Sequence, residues 1–158
     1  MWLSYKFLDH ATDAIIEINA KDIKEAFAVA AEAEINLTLD QDKVEEKDQK
    51  EFSAQGKDLY YLLFSWLEEI PFILITEGFA IKRIDFDIEK NGDYKINAKA
   101  YGEPLDFKKH NFKVEIKAPT FHDMIIKENH QVYMRFLLDL WVWWIILSKM
   151  QEEVIRIF

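Results

Sequence analysis

Two alternating runs on either side of Asn91-Gly92 constrain the fold more than any other feature of the sequence. Charged and apolar residues alternate from Arg83 to Ile88, and the alternation resumes from Tyr94 to Ala100. Such alternation is typical of half-buried strands, and Asn-Gly between two runs is a strong signal for a tight hairpin turn. The sequence therefore predicts an antiparallel strand pair, with acidic and basic side chains facing each other across it.

The rest of the chain mixes helical and strand patterns. Asp22 is a good N-cap for a first helix, with Glu25 three residues later, and a second helix is predicted to open at Asp58. Pro71 is predicted to kink or end this second helix, because proline lacks an N–H and clashes with the preceding turn. Further strands are predicted over residues 3–8, 14–18, 52–54, 114–118 and 131–140, whereas 40–50 and 102–111 are predicted to be polar connections.

Helices and strands follow one another without the regular βαβ order of a parallel doubly wound sheet. We therefore predict a single α+β domain with a mixed or antiparallel sheet and two main helices. The length of 158 residues fits one domain, and the 50% hydrophobic content is enough for a core of its own.

Net charge and cysteine content exclude several classes of function. The formal charge of −9 argues against a broad basic surface for a phosphate backbone, so we expect little direct nucleic-acid binding. A role in nucleic-acid chemistry would instead need a basic protein partner or a metal. The absence of cysteine excludes disulfides, thiolate zinc sites and cysteine nucleophiles, and it is compatible with a reducing compartment.

Neither end of the chain predicts membrane association. The first ten residues lack the charged start and long apolar core of a signal peptide. The apolar stretch over residues 136–147 is interrupted by Asp139 and is shorter than the about 20 residues that a spanning helix needs. We therefore predict a cytoplasmic protein with no membrane partner.

Asp139 is the only polar residue between Phe136 and Leu147. An ionised carboxylate in apolar surroundings is costly unless another group stabilises it. Hard divalent cations prefer carboxylate and carbonyl oxygens, so a metal shared by Asp13 and Asp139, with a backbone carbonyl, would stabilise it. The alternative is that Asp139 faces solvent at a strand end and Asp13 is a turn residue.

Several segments resemble the archease family. Phe7-Leu-Asp-His-Ala-Thr-Asp13 resembles the family's Leu-Asp-His-Thr-Ala-Asp turn, and Lys117-Ala-Pro-Thr-Phe-His-Asp-Met124 is similar to its Lys-Ala-x-Thr-Tyr-His-x-Met signature. Arg135-Phe-Leu-Leu-Asp-Leu140 resembles its terminal strand. Weaker matches lie between these in the same order, at 22–27, 39–44, 58–63, 66–69, 76–79 and 102–110. The resemblance covers about residues 1–140, which we predict to be the archease-like domain.

The resemblance to archeases implies a function that composition and periodicity alone do not predict. Archeases assist the RtcB-type RNA ligase that joins tRNA halves during splicing, so a non-enzymatic activator that promotes ligase guanylylation and multiple turnover is expected. By motif, Asp13 and Asp139 correspond to the metal-binding acids, the backbone carbonyl of Leu140 to a further ligand, and Lys117 to a functional lysine. The implied cofactor is a divalent metal, with calcium first and magnesium or manganese as alternatives.

Alternatives stay open for individual residues and for the function. Lys117 could be an outward-facing strand lysine, and His122 is either a partner-facing residue or a residue that caps a strand. The same acids could serve a metal-dependent phosphoesterase. A third interpretation is a chaperone-like modulator of a tRNA cytosine-5 methyltransferase, a role also associated with archeases.

Three features depart from the family pattern. Pro71 interrupts a helix that is usually smooth in the family. Ala11-Thr12 inverts the usual order of these residues but leaves Asp13 in register. Residues 141–158 extend beyond the family's usual end and carry Trp141, Trp143 and Trp144. We treat this segment as an apolar C-terminal extension of unknown role, because large apolar patches usually mark contacts with the core or with a partner.

Overall fold

The structure is a computed structural model, which describes the backbone of residues 4–9 and all atoms of residues 13–141. Seven strands and two α-helices make up this part of the chain. In chain order they are β1 (Ser4–Asp9), β2 (Asp13–Ala20), α1 (Ile23–Thr38), β3 (Asp48–Gly56), α2 (Leu59–Pro71), β4 (Phe79–Asn91), β5 (Asp93–Pro104), β6 (Ile116–Glu128) and β7 (Val132–Leu140). A 3₁₀ turn (Gln41–Lys43) precedes β3, and a π-helical segment (Phe72–Thr76) follows α2.

The strands form two sheets. One has four strands in the order β1-β2-β7-β6, and the other has three in the order β3-β5-β4. Every strand pairing described is antiparallel. The predicted α+β class and the two main helices are confirmed, and the sheets are antiparallel rather than mixed.

The predicted hairpin joins β4 to β5. Gly92 has a φ of +78° at the turn, a conformation that glycine adopts without steric cost. Across the pair, Asp85 lies opposite Lys99 and Glu89 lies opposite Lys95. Acidic side chains therefore face basic ones, as the alternating pattern predicts.

Both helices begin where the sequence places them. The Asp22 carboxylate accepts a hydrogen bond from the Glu25 N–H (2.8 Å), and the Glu25 carboxylate accepts one from the Lys21 N–H (2.6 Å). Asp58 caps α2 in the same way by accepting from the Tyr61 N–H at 3.0 Å. These contacts satisfy N–H groups that the first turn of a helix leaves unpaired.

Pro71 is the last residue of α2, and the chain continues directly into a π-helical segment. The next five residues form the π-helical segment, and the Phe72 N–H is shared between the carbonyls of Glu68 and Glu69. Proline cannot donate its own hydrogen bond, which explains why the regular pattern changes at this point. Gly78, with a φ of +62°, follows this segment before β4 begins.

The core lies between the two sheets, and α2 contacts both of them. It packs on β3 from one sheet and on β6 from the other, whereas α1 packs mainly on α2 and β2. The fully buried Trp66 stacks on Phe52 (5.5 Å between ring centroids) and contacts Phe86 (4.9 Å). Its indole N–H donates to the Phe27 carbonyl at 2.9 Å, which ties α2 to α1.

Within the described part of the chain, residues 59–76 are long and apolar enough to cross a membrane. Their apolar face is buried instead, and Leu62, Leu63 and Trp66 have no exposed surface. The segment also carries Glu68 and Glu69. We conclude that this segment is a core helix, whose apolar composition follows from its position between the sheets.

Two strand predictions have wrong bounds. β6 runs from Ile116 to Glu128 rather than over 114–118, and β3 begins at Asp48, inside the run predicted to be a solvated connection. Both are edge strands with exposed charged residues, so their apolar periodicity is weak. The predicted C-terminal extension lies outside the described residues beyond Trp141.

Candidate functional site

Strand register places Asp13 directly opposite Asp139. β2 begins at Asp13 and pairs with β7, and the next pair along the two strands is Ala14 with Leu138. Directly opposed residues of an antiparallel pair project to the same face, with Cβ atoms about 4.5–5.5 Å apart. Ala14 and Leu138 are buried in the core, so the two acids lie on the opposite face, where each is half-buried.

Along this face of β2 and β7, the acid pair is followed first by an apolar pair and then by a charged pair. The next pair that projects to the same face is Ile15 with Leu137, each only 8% exposed. Beyond it, Glu17 lies opposite Arg135 and accepts a hydrogen bond from the Tyr133 hydroxyl at 3.1 Å. Asp13 and Asp139 thus lie at the end of the sheet, with an apolar pair between them and the next charged groups.

Lys117 is the extra residue of a β-bulge beside this pair. On β6, Ile116 lies opposite Leu140 and Ala118 lies opposite Asp139, so one additional residue is inserted between them. A bulge changes the direction of a side chain without breaking the pairing on either side. The Lys117 side chain is exposed, and its Nζ lies 5.1 Å from the centroid of the Trp141 ring, a cation–π contact.

A cleft of about 320 Å³ lies beside the bulge, between β6 and the end of α2. Its walls include the exposed ring of Phe72, together with Lys117, Pro119 and Trp141. The cleft places the Lys117 bulge next to exposed aromatic surface.

Leu140 could contribute only a backbone atom to the site. Its side chain is buried in the core, next to Asp139 at the end of β7. The following N–H, that of Trp141, donates to the Glu115 carbonyl at 3.1 Å and holds the chain beside β6. β7 thus continues to Leu140, directly before Trp141.

His122 does not share the register position of the acids. It lies within a second irregularity of β6, between Thr120 and Ile125, where Asp123 has a φ of +57°. Its side chain is 75% exposed, and its Nε2 lies 3.3 Å from an Asp123 carboxylate oxygen. The structure therefore brings together Asp13, Asp139 and the Lys117 backbone, and leaves His122 further along the edge strand.

Few side chains near the acid pair could act as ligands for a cation. Among the residues that the structure describes, no group of three or more Asp, Glu, His or Cys side chains could hold a metal ion. The side chains of Asp9 and His10 lie outside the described residues. The acid pair thus offers two carboxylates, to which a backbone carbonyl could be added.

A buried polar cluster lies at the end of β5, at residues that the sequence patterns do not single out as a site. Glu103 is 4% exposed, and its carboxylate accepts hydrogen bonds from Lys109 Nζ (2.6 Å) and from the Glu45 N–H (2.6 Å). The bond from Lys109, helped by that from Glu45, lowers the pKa of Glu103 to about 2. No periodic pattern marks these residues, because two of them lie in connections between strands.

His110 completes this cluster and is fully buried. Its Nδ1 accepts a hydrogen bond from the Asp106 N–H at 3.0 Å, so the proton of the neutral ring is on Nε2. Nε2 lies 3.4 Å from Glu103 Oε1. The cluster joins the connection before β3 to the connection after β5, which is a structural role.

Comparisons with known proteins agree with this fold. The sequence model of the Archease protein family (MTH1598/TM1083) matches residues 5–140. Protein archease of Pyrobaculum islandicum is 39% identical over 140 residues, which cover 87% of this chain and 95% of the relative. Protein archease of Pyrococcus abyssi is 38% identical over 125 residues, which cover 78% and 88% of the two chains.

A solved structure is also similar. The solution structure of Methanobacterium thermoautotrophicum protein 1598 superposes with a TM-score of 0.70 at 30% identity, covering 86% of this chain and 98% of that one. The two antiparallel sheets and the bridging helix thus form a small α+β domain of a known kind. The chain belongs to the archease family.

Proposed function

We propose that this protein is a non-enzymatic activator of an RtcB-type RNA ligase in tRNA splicing, and that it promotes ligase guanylylation and multiple turnover. One observation carries the proposal, namely the register that opposes Asp13 to Asp139 beside the Lys117 bulge. These three residues are the positions at which the chain matches the family's functional motifs. Membership of the archease family supports the choice of partner.

The acid pair fits a hard divalent cation. Two carboxylates on one face of the sheet can both reach an ion held at about 2.3–2.6 Å, the range for calcium–oxygen bonds. A shared cation would also replace repulsion between opposed carboxylates with attraction. We propose calcium first, with magnesium or manganese as alternatives, and the Leu140 carbonyl as a third ligand.

Lys117 has a separate role in this proposal. Lys117 is exposed and directly precedes the residue that lies opposite Asp139, and in this proposal its ammonium group donates hydrogen bonds to a phosphate or to an acid of the ligase. The cation–π contact of its Nζ with the Trp141 ring favours one direction of the side chain. We assign His122 to contact with the partner away from the metal, because it is exposed on the same edge strand.

Electrostatics supports docking to a basic RNA-binding enzyme. The net charge of −9 complements such a partner and disfavours direct RNA binding. An acidic protein of this kind would act on the ligase and not on the RNA. We propose that the complex forms in the cytoplasm.

The test is ligase guanylylation with catalytic amounts of the purified protein. We expect Asp13→Asn and Asp139→Asn each to reduce the stimulated rate at least about tenfold, equivalent to about 1.4 kcal/mol. Asp48→Asn is the matched control, since it removes one exposed acid from the other sheet. Stimulation retained by either folded variant would contradict the proposal, as would turnover of a phosphoester by the protein alone.

Cation binding can be measured separately by calorimetry on the purified protein. We expect calcium to bind with a stoichiometry of one, and the Asp13→Asn/Asp139→Asn double variant to bind at least about tenfold more weakly. Magnesium and manganese titrations distinguish the alternatives. Equal calcium affinity in the parent and double variant would exclude the acid pair as the metal site.

A further inference from the structure

A groove runs between α1 and the edge strand β4, away from the acid pair. One face of α1 forms its first wall, with residues at helical spacing, and β4 forms its second wall. Two adjoining cavities, of about 590 and 260 Å³, share Ala28, Ile84 and Phe86 in this groove. We call it the α1–β4 groove; its walls are Lys21, Asp22, Lys24, Glu25, Ala28, Ala31, Glu32 and Ile35, and residues 82–87.

The two walls run antiparallel over matching lengths. The start of α1 shares a cavity with Asp87, and the later residue Ile35 shares the other cavity with Lys82. Residues 22–35 of a helix span about 20 Å, and residues 82–87 of a strand span about 17 Å. The helix therefore lies along the strand edge, an arrangement in which a further strand can be bound between them.

The edge of β4 carries unpaired backbone groups. β4 is the outer strand of its sheet, and its only sheet partner in the described part of the chain is β5. On the free side, the Lys82 carbonyl accepts a hydrogen bond from Gln41 Nε2 at 2.9 Å. Over residues 83–90, the described chain supplies no backbone hydrogen bond beyond those to β5. Free N–H and C=O groups of this kind recognise an extended peptide backbone.

The pairing of β5 with β4 indicates which side chains a strand bound at the free edge of β4 would carry. On its paired side, β4 has Lys99 opposite Asp85 and Lys95 opposite Glu89. On the inner face, the small residue Ala98 lies opposite Phe86. A strand on the free side would meet the same alternation of acidic and apolar residues on β4, and the small residues Ala28 and Ala31 of α1 leave room for it in the middle of the groove.

The charges along the groove leave an acidic excess. Arg83 is held by Glu46 (2.9 Å) and Asp85 (2.6 Å), and Lys24 is held by Asp87 (3.1 Å). The half-buried Glu32 carboxylate has no hydrogen-bond or ion-pair partner in the described chain, and burial raises its pKa. The ion pairs between β4 and its neighbours are exposed and contribute little, so a cationic ligand can replace them.

We propose that the α1–β4 groove binds an extended peptide segment of a partner protein, which alternates basic with small apolar residues and adds a strand to β4. The apolar residues would lie under Ala28 and Ala31, and the basic ones would face Asp85 and Asp87. A second copy of this chain fits less well. If the β4 strands of two copies paired antiparallel with Arg83 opposite Asp87, then Asp85 of one copy would lie opposite Asp85 of the other. Two like charges directly opposite each other are destabilising. The inference does not depend on the acid pair or on the ligase, since the groove belongs to the other sheet.

The experiment titrates the isotope-labelled full-length protein with a synthetic peptide that has the sequence of residues 94–101 of β5, and follows backbone amide resonances. We expect saturable shifts over β4 residues 83–90 and over the facing residues of α1. A control peptide with glutamate in place of both lysines should bind at least about tenfold more weakly.

Two protein variants test the groove itself. Ala28→Trp fills it, and Asp85→Lys/Asp87→Lys reverses its charge on exposed positions that do not enter the core. Both should weaken peptide binding at least about tenfold. The matched control Asp48→Lys/Glu51→Lys makes the same charge change on β3, the opposite edge of the sheet, and should leave binding within about twofold.

Three results would overturn the proposal. The first is the absence of saturable shifts in the parent protein, and the second is an equal loss of affinity in the β3 control. The third is dimerisation in analytical ultracentrifugation that the Asp85→Lys/Asp87→Lys variant abolishes, because it would assign the edge to a second copy of the chain.

Discussion

Asp139 owes its position among apolar residues to the alternation of a single strand. Leu138 and Phe136 face the core, Asp139 and Leu137 face the other side, and Asp13 lies opposite Asp139. Within β7, the apolar residues on either side therefore do not all surround the carboxylate, since Leu138 and Phe136 project to the opposite face. A short sequence window cannot reveal this, because the partner acid lies more than a hundred residues earlier in the chain.

Glu34 differs from Asp139 in its burial: it lies on α1 and has no exposed surface. Neither carboxylate oxygen has a hydrogen-bond partner in the described structure, and burial raises its pKa well above the usual range. Below about pH 4 both folded and unfolded states are protonated. As pH rises, the unfolded state loses its proton first, so stability falls until the folded-state pKa is passed.

We expect Glu34→Gln to remove this pH dependence. The variant should match the parent near pH 4 and exceed it at pH 8, and each kcal/mol gained should raise Tm by about 2–4 °C. Urea unfolding at several pH values measures the difference in the free energy of unfolding between the variant and the parent. The contributions of all other acids cancel in this difference, because both proteins contain them. Glu51→Gln, at an exposed position on β3, is the control. A constant difference across this pH range would show that Glu34 is not the titrating group.

At the scale of single elements, the β4–β5 hairpin is the part that local sequence determines most completely. Its alternation, its turn residues and the register that sets acidic residues opposite basic ones all agree with the structure. Nothing lies within 4 Å of the space that a Cβ at Gly92 would occupy. Any cost of replacing Gly92 therefore comes from its backbone conformation alone.

We expect Gly92→Ala to destabilise the protein by about 1–2 kcal/mol, the cost of the left-handed conformation for a residue with a Cβ. Gly92→Asn should cost less, because asparagine adopts this conformation more readily. Chemical denaturation of the parent and both variants checks the order. Equal losses in the two variants would mean that the φ of +78° is not maintained in solution.

The helix starts and the hairpin could be predicted because caps and turns are local. The length of β6 could not, since its pairing with β7 contains two irregularities, at Lys117 and between Thr120 and Ile125. Bulges disrupt the period of two on which strand prediction depends. The Lys117 bulge also changes the interpretation of that lysine, which the sequence alone leaves open between an outward strand residue and a functional one.

At the scale of the whole molecule, α2 joins the two sheets into one unit. Trp66 is fully buried and contacts Phe52 and Phe86 from the three-stranded sheet and the Phe27 carbonyl from α1. Neither sheet buries its inner face without the helices. The two sheets are therefore expected to unfold together, with no stable half.

Trp66→Ala should lower the free energy of unfolding by about 3–5 kcal/mol, the range for truncation of a large core aromatic. Hydrogen exchange should accelerate in β5 and β7 alike, because both sheets depend on the same core. Phe107→Ala, at a 59% exposed aromatic, is the control and should cost no more than about 1.5 kcal/mol. Faster exchange in only one sheet would show that the sheets unfold independently.

The alignment of the acid pair has a consequence for how this chain can vary. The two carboxylates meet because of strand register alone, and each residue inserted within β2 or β7 would turn one of them toward the core. Length changes in α1, in the hairpin or in the 105–115 connection leave that register intact. Viable insertions and deletions are therefore expected to fall outside residues 13–20 and 132–140, and a library of single-residue insertions would locate this boundary directly.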